Sequence, residues 1–117
     1  MPYIGSSVKR KEDVPLLRGV GKYVGDIRRP GMTHAAIVRS SRAHARITNI
    51  DAAAALELPG VVGVLTAADM PGLKTIPMRT GQIPGLERSQ QTPIATDLVR
   101  YVGEPVAVVV ARDRYVA

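Results

Sequence analysis

The sequence predicts an α+β fold, and three observations carry that prediction. Short runs of β-branched and small apolar residues at 34–39, 43–47, 61–65 and 106–111 have the length and bounding signals of strands. Only two brief helical stretches stand among them, and the order is mixed rather than the regular strand–helix alternation of a doubly wound sheet. No internal repeat or low-complexity tract interrupts the 117 residues, a length that suits one domain able to bury roughly two-thirds of its unfolded surface.

The elements follow in order. Residues 1–31 read as an extended N-terminal arm rich in Gly, Pro and charge, in which Leu16-Leu17 closes a helical turn before Gly19 and Pro30-Gly31 marks a sharp turn. His34–Arg39 is a strand, broken by Ser40-Ser41. Ala43–Ile47 then alternates with period two, so that Arg42, His44 and Arg46 share one face and Ala43, Ala45 and Ile47 the other. Asp51 is placed to cap a helix over Ala52–Glu57, which Pro59-Gly60 ends. Val61–Leu65 is a third strand, and Thr66 caps one turn over Ala67–Met70. Residues 71–93 hold four prolines and three glycines and read as one long loop, of the kind that usually contacts something else. Order returns at Asp97–Val102, followed by the strand Val106–Ala111, with Pro105 at a strand start or edge because it has no N–H to donate. Arg112–Ala117 reads as the first turn and a half of a helix with no stop signal and an unfinished apolar face, which reads as truncation.

Composition narrows the chemistry. There is no Phe, Trp or Cys, and the four aromatics are Tyr3, Tyr23, Tyr101 and Tyr115. The core is therefore Val, Ile, Leu, Ala and Met, and disulfides, thiol nucleophiles and thiolate metal sites are excluded. The net charge of +6 comes from scattered basic residues with no recognition helix and no interleaved aromatics for base stacking, so a nucleic-acid partner is not expected. No apolar run is long enough to span a bilayer, and MPYIGSSVKRKED turns charged by residue 9 without a leader-type apolar region. A cytoplasmic protein is the expectation.

Four constellations invite a chemical reading. Gly19-Val-Gly21-Lys-Tyr-Val-Gly25 is one residue too long for a dinucleotide fingerprint and lacks the preceding strand, so it reads as a turn. Ser40, His44 and Asp51 would spread over more than about 30 Å if extended, which argues for a structural His44 beside Arg42 and Arg46 rather than a triad. His34 and His44 are the only histidines, and no H-x-x-E or H-E-x-x-H spacing exists for a metal. Glu104, between Gly103 and Pro105, sits at the mouth of the most apolar stretch, where desolvation perturbs a carboxylate. The competing reading, which we favour, is that it accepts backbone hydrogen bonds at a strand entrance or pairs with an arginine. No residue is assigned a catalytic, cofactor-binding or metal-ligating role.

Read as whole phrases, the chain resembles a known family. VKRKEDVPLLRGVGKYVGDI, AAIVRSSRAHARITNID, LPGVVGVLTAADMPG and VRYVGEPVAVVVARDRYVA follow one another as at the start of the molybdenum hydroxylase large subunit, the family of xanthine dehydrogenase, aldehyde oxidase and aerobic carbon monoxide dehydrogenase. The match holds at Arg10, Glu12-Asp13, Leu16-Leu17, Gly19, Gly21, Tyr23 and Asp26. It continues at Arg39-Ser40, Ala43–Ala45, Ile50-Asp51, Pro59–Val61, Thr66, Asp69 and Val102–Ala107. Arg18, Gly25 and Ser41 depart from common family residues; the Ser41-Arg42 form also occurs in members like xanthine dehydrogenase.

The resemblance implies an α/β hammerhead domain, with a small mixed sheet and two to three short helices over 32–117, truncated at its C-terminal helix. It implies a parent oxidoreductase using a molybdenum–pterin cofactor (molybdopterin), with [2Fe-2S] clusters and FAD on partner chains or domains. Such enzymes hydroxylate aldehydes, purines or related heterocycles, or oxidise carbon monoxide. The family's pterin-binding loops and catalytic glutamate lie in later domains, so this chain is expected to bind no cofactor, and Glu104 is not that glutamate. The alternative is a free-standing interaction module that docks to a separately encoded catalytic subunit. Either way, exposed apolar strand surface and a frayed C-terminus are expected of the isolated chain.

Overall fold

The computed structural model describes residues 3–77, 84–85 and 90–117. These fall into two compact units, one running through Pro30 and the other from Gly31 to Ala117.

The first unit is built on a single helix, α1 (Asp13–Leu17), none of whose residues is buried. Pro15 falls within its first turn, where a backbone N–H has no helical acceptor, so the missing donor does no harm. The helix closes as a Schellman motif: Gly19, at φ +67°, donates to the Leu16 carbonyl at 3.0 Å and Val20 to the Pro15 carbonyl at 3.0 Å. The run 19–25 is thus a helix stop followed by a 3-10 turn, Val24–Asp26, in which the Asp26 carboxylate accepts the Tyr23 N–H at 3.0 Å.

The second unit is a three-stranded antiparallel sheet with a two-stranded ladder beside it in the chain. Strand β1 (His34–Arg39) and strand β3 (Val61–Leu65) flank β5 (Pro105–Ala111), which is central. Strands β2 (Ala45–Arg46) and β4 (Leu98–Val99) form the separate ladder, lengthened by the bond from the Ile47 N–H to the Asp97 carbonyl at 2.8 Å. Every ladder among the described residues is antiparallel. Helix α2 (Ala53–Leu56) packs on β3.

Register places Ile37, Val108 and Leu65 in one row and His34, Ala111 and Val61 in another. Residues opposite one another share a face. The Ile37 row lies on a poorly covered face, with Ile37 48% and Leu65 41% exposed, whereas Ala107 and Ala111 are buried on the other. The core is small: Ile94, Ala95, Val99, Ala107 and Ala111, with no aromatic ring among them. Pro105 opens the central strand opposite Arg39, where the register shifts between Val38 and Arg39. That irregularity accommodates a residue without an N–H.

Three local expectations shift. The alternating run 43–47 narrows to a two-residue strand, although Ala45 and Ile47 do point inward while Arg42, His44 and Arg46 stay exposed. Helix α2 starts at Ala53 with Ala52 as its cap residue, and the Asp51 carboxylate, one residue ahead of that cap, accepts the Ala53 N–H at 3.0 Å in an Asx turn. Arg112–Ala117 forms a single turn: the Asp113 carboxylate takes the N–H groups of Tyr115 and Val116, both at 2.9 Å, as a helix N-cap does, and the Ala117 N–H donates to the Asp113 carbonyl at 3.2 Å.

The expected loop 71–93 includes 78–83 and 86–89, which lie outside the described residues. Its two ends meet: the Thr75 hydroxyl donates to Gln90 Oε1 at 2.9 Å, and the Ile76 N–H to the Gln91 carbonyl at 2.8 Å. No described helix is long and apolar enough to cross a membrane.

Candidate functional site

The most deeply buried large side chain among the described residues is a carboxylate. Glu104 is 0% exposed and is the only polar or charged residue buried among those described. It stands between Gly103, at φ +94°, and the first residue of β5. Loop 100–103 therefore carries the chain from the end of β4 to the start of the central strand, turning at a glycine because an L side chain is strained there.

Hydrogen bonds hold this corner from several sides. Glu104 Oε2 accepts the backbone N–H of Arg100. The Glu104 carbonyl accepts the Ser40 N–H at 2.9 Å, and the Gly103 N–H returns to the Ser40 carbonyl at 2.8 Å. Arg39 Nη1 donates to the Gly103 carbonyl at 2.8 Å. Arg100 Nη1 lies 3.9 Å from Glu104 Oε1 but donates to the Leu98 carbonyl at 3.1 Å. Oε1 itself has no hydrogen-bond partner among the described residues. Of the two readings of Glu104, the geometry supports the structural one: it accepts a backbone N–H at a strand entrance and sits beside an arginine. Its burial closes it to any substrate.

Ser40, His44 and Asp51 are not brought together. The Ser40 hydroxyl donates to the Arg42 carbonyl at 2.9 Å and accepts the Arg42 N–H at 3.0 Å, while the Asp51 carboxylate is held by Ala53. His44 is exposed on β2's approach, and His34 is half-buried in β1. Among the described residues, no group of three or more His, Cys, Asp or Glu side chains could hold a metal ion. The described residues do not form a donor set for a molybdenum centre.

Two carboxylates have their charge set by local hydrogen bonds. The Thr66 backbone N–H, and after it the Thr66 hydroxyl, hold Asp69 below the ordinary aspartate value of 3.8. The Val116 N–H, helped by the Tyr115 N–H, does the same for Asp113. Both are turn-capping groups. Thr-x-x-Asp at 66–69 is a sequence signal of that role, read here only from the threonine side.

Two depressions are lined by described residues. A depression of about 250 Å³ is lined by Ile50, Thr66, Ala67, Ala68, Ala95 and Thr96, whose two hydroxyls are already bonded to Asp69 and Asp97. A smaller one of about 140 Å³ lies within the first unit, between α1 and Tyr23. Neither presents a charged group aimed inward beside a nucleophile.

The family model described as aldehyde oxidase and xanthine dehydrogenase, a/b hammerhead domain, matches residues 18–117. The carbon monoxide dehydrogenase large chain of Afipia carboxidovorans is 45% identical over 114 residues, 97% of this chain and 14% of that one. The nicotine 6-hydroxylase large subunit of Paenarthrobacter nicotinovorans is 47% identical over 114 residues, again 97% of this chain and 14% of its own length. In three dimensions the chain superposes on reconstituted CO dehydrogenase from Oligotropha carboxidovorans with a TM-score of 0.81 at 44% identity, covering 97% of this chain and 13% of that one. It thus spans about a seventh of the length of these two relatives, one named a large chain and the other a large subunit. With four sequence blocks in order, a matching sheet and this coverage, the chain belongs to the aldehyde oxidase and xanthine dehydrogenase family, as its a/b hammerhead domain.

Proposed function

We propose that this chain is the hammerhead domain of a molybdopterin-dependent oxidoreductase, one that hydroxylates aldehydes, purines or related heterocycles or oxidises carbon monoxide. Its part in that enzyme is structural, and it is catalytically silent alone. The observation that carries this reading is the 45% identity over 97% of the chain to a large chain of which it covers 14%. What supports it further is that the one carboxylate buried among the described residues serves a strand entrance. The partners in this reading are the other domains of a large subunit, an iron–sulfur subunit with [2Fe-2S] clusters and an FAD subunit, in the cytoplasm. Molybdenum and pterin would be held by those other domains.

The test is the size and company of the native gene product, detected in its own cells through the peptide Ile47–Leu65. A product several times larger than 12.5 kDa, carrying molybdenum and hydroxylase or carbon monoxide-oxidising activity, is the expected result. A free product of 12.5 kDa that purifies with no molybdenum-containing chain would overturn it.

A further inference from the structure

Glu104 is buried within this chain alone, so its role owes nothing to any other domain. Its two oxygens are unequal: Oε2 holds the Arg100 N–H, and Oε1 is enclosed without a hydrogen bond. A buried carboxylate oxygen left bare is costly, and a donor that can reach it is strongly drawn to it. One such donor is adjacent. Arg100 Nη1 lies 3.9 Å away and is occupied by the neutral carbonyl of Leu98 at 3.1 Å.

We infer that Arg100 is a two-position latch, donating either to the Leu98 carbonyl in β4 or to Glu104 Oε1, and that the exchange sets how firmly the β2–β4 ladder is held to the central strand. Hydrogen-bond length at Oε1 requires a shift of about 1 Å. The carboxylate is the stronger acceptor, since a charge-assisted bond is roughly twice as strong as a neutral one. Opposing it is desolvation of the guanidinium, whose side chain is 35% exposed where it stands. The latch is set by the balance of these two terms. In the latched position the carboxylate grips Arg100 by both its backbone N–H and its guanidinium, and the loop between β4 and β5 becomes one rigid corner. In the other position the grip is through the backbone alone. Arg39 serves as an internal contrast, because it donates to the Gly103 carbonyl of the same corner and not to the carboxylate.

Side-chain ¹⁵N NMR of the 117-residue chain tests this directly. Guanidinium proton exchange at Arg100 should be slower in the wild type than in Glu104→Gln by about tenfold or more. A double-mutant cycle of Arg100→Met with Glu104→Gln, read by urea unfolding, should show about tenfold coupling in the unfolding equilibrium constant. Equal exchange rates together with an additive Arg100–Glu104 cycle would overturn the latch. Should Glu104→Gln fail to fold, the carboxylate ¹³C signal of Glu104 decides the matter in wild type and Arg100→Met. A displaced signal supports the latch, and an unchanged one overturns it.

Discussion

Gly60 and Arg112 meet twice. The Arg112 N–H donates to the Gly60 carbonyl at 2.9 Å, and a Cβ built on Gly60 would lie 2.6 Å from Arg112 Nε. Gly60 also holds φ +99°, a region L side chains avoid. Gly60→Ala should therefore destabilise the chain by about 1–2 kcal/mol. The Arg112 side chain is largely exposed and free to swing aside, so the backbone strain carries the loss. Urea unfolding of Gly60→Ala and of Gly60→Ala with Arg112→Ala should give the same deficit; recovery in the double variant would show that crowding, not φ, was responsible.

The core tolerates no added volume at Ala111. It is 0% exposed and lies in register with His34 on one side and Val61 on the other. Ala111→Val should lose about 1–3 kcal/mol through overpacking. The expected signature is a lower urea midpoint at unchanged slope, meaning that stability falls while the surface exposed on unfolding stays the same.

Asp69 and Asp113 shape the acid side of the stability curve. Both are held below 3.8 when folded, first by the Thr66 and Val116 backbone N–H groups respectively. A carboxylate with a depressed folded value binds fewer protons in the folded state than in the unfolded one, so stability rises with pH across that window. Their contribution is whole above the unfolded value and is lost as pH falls through the lower, folded one. Midpoints of unfolding should stay flat on their account from pH 7 to about 5 and fall below about 4. Asp69→Asn and Asp113→Asn should each flatten that acid limb, and an unchanged limb in both variants would refute the assignment.

The stop of α1 depends on Gly19 being able to reach φ +67°. Gly19→Ala should loosen the first unit by about 1 kcal/mol. Amide exchange at Val20 and Gly21, whose N–H groups both reach the Pro15 carbonyl, should quicken, while exchange within β5 should not change.

Strand positions were legible where side-chain chemistry is local. His34–Arg39 and Val61–Leu65 are bounded by Ser and by Gly or Thr, and the observed strands keep those bounds. Pro105 announced a strand start for the simple reason that it lacks a donor. The place of β5 between β1 and β3 was not legible, because a six-residue apolar run reads alike whether one neighbour or two will cover it. Glu104 was legible as a residue to watch, and its neighbours Gly103 and Pro105 suggested a strand entrance. That Arg39 and Ser40, more than sixty residues earlier, would supply its surroundings could not be read from spacing. The family blocks carried the fold class further than periodicity did, since they preserve order across the whole chain.

The order of the strands in the chain and in the sheet has a kinetic meaning. The sheet runs β1-β5-β3, so the two early strands are not paired with each other, and each waits for a strand made later. As the polypeptide leaves the ribosome, His34–Arg39 and Val61–Leu65 emerge with bare edges and no partner until Ala111 has cleared the exit tunnel. Loop-closure entropy over that separation slows the pairing, and unpaired strands are what chaperones bind. Synthesis that stalls before residue 105 would leave two unpaired strands instead of a half-built sheet.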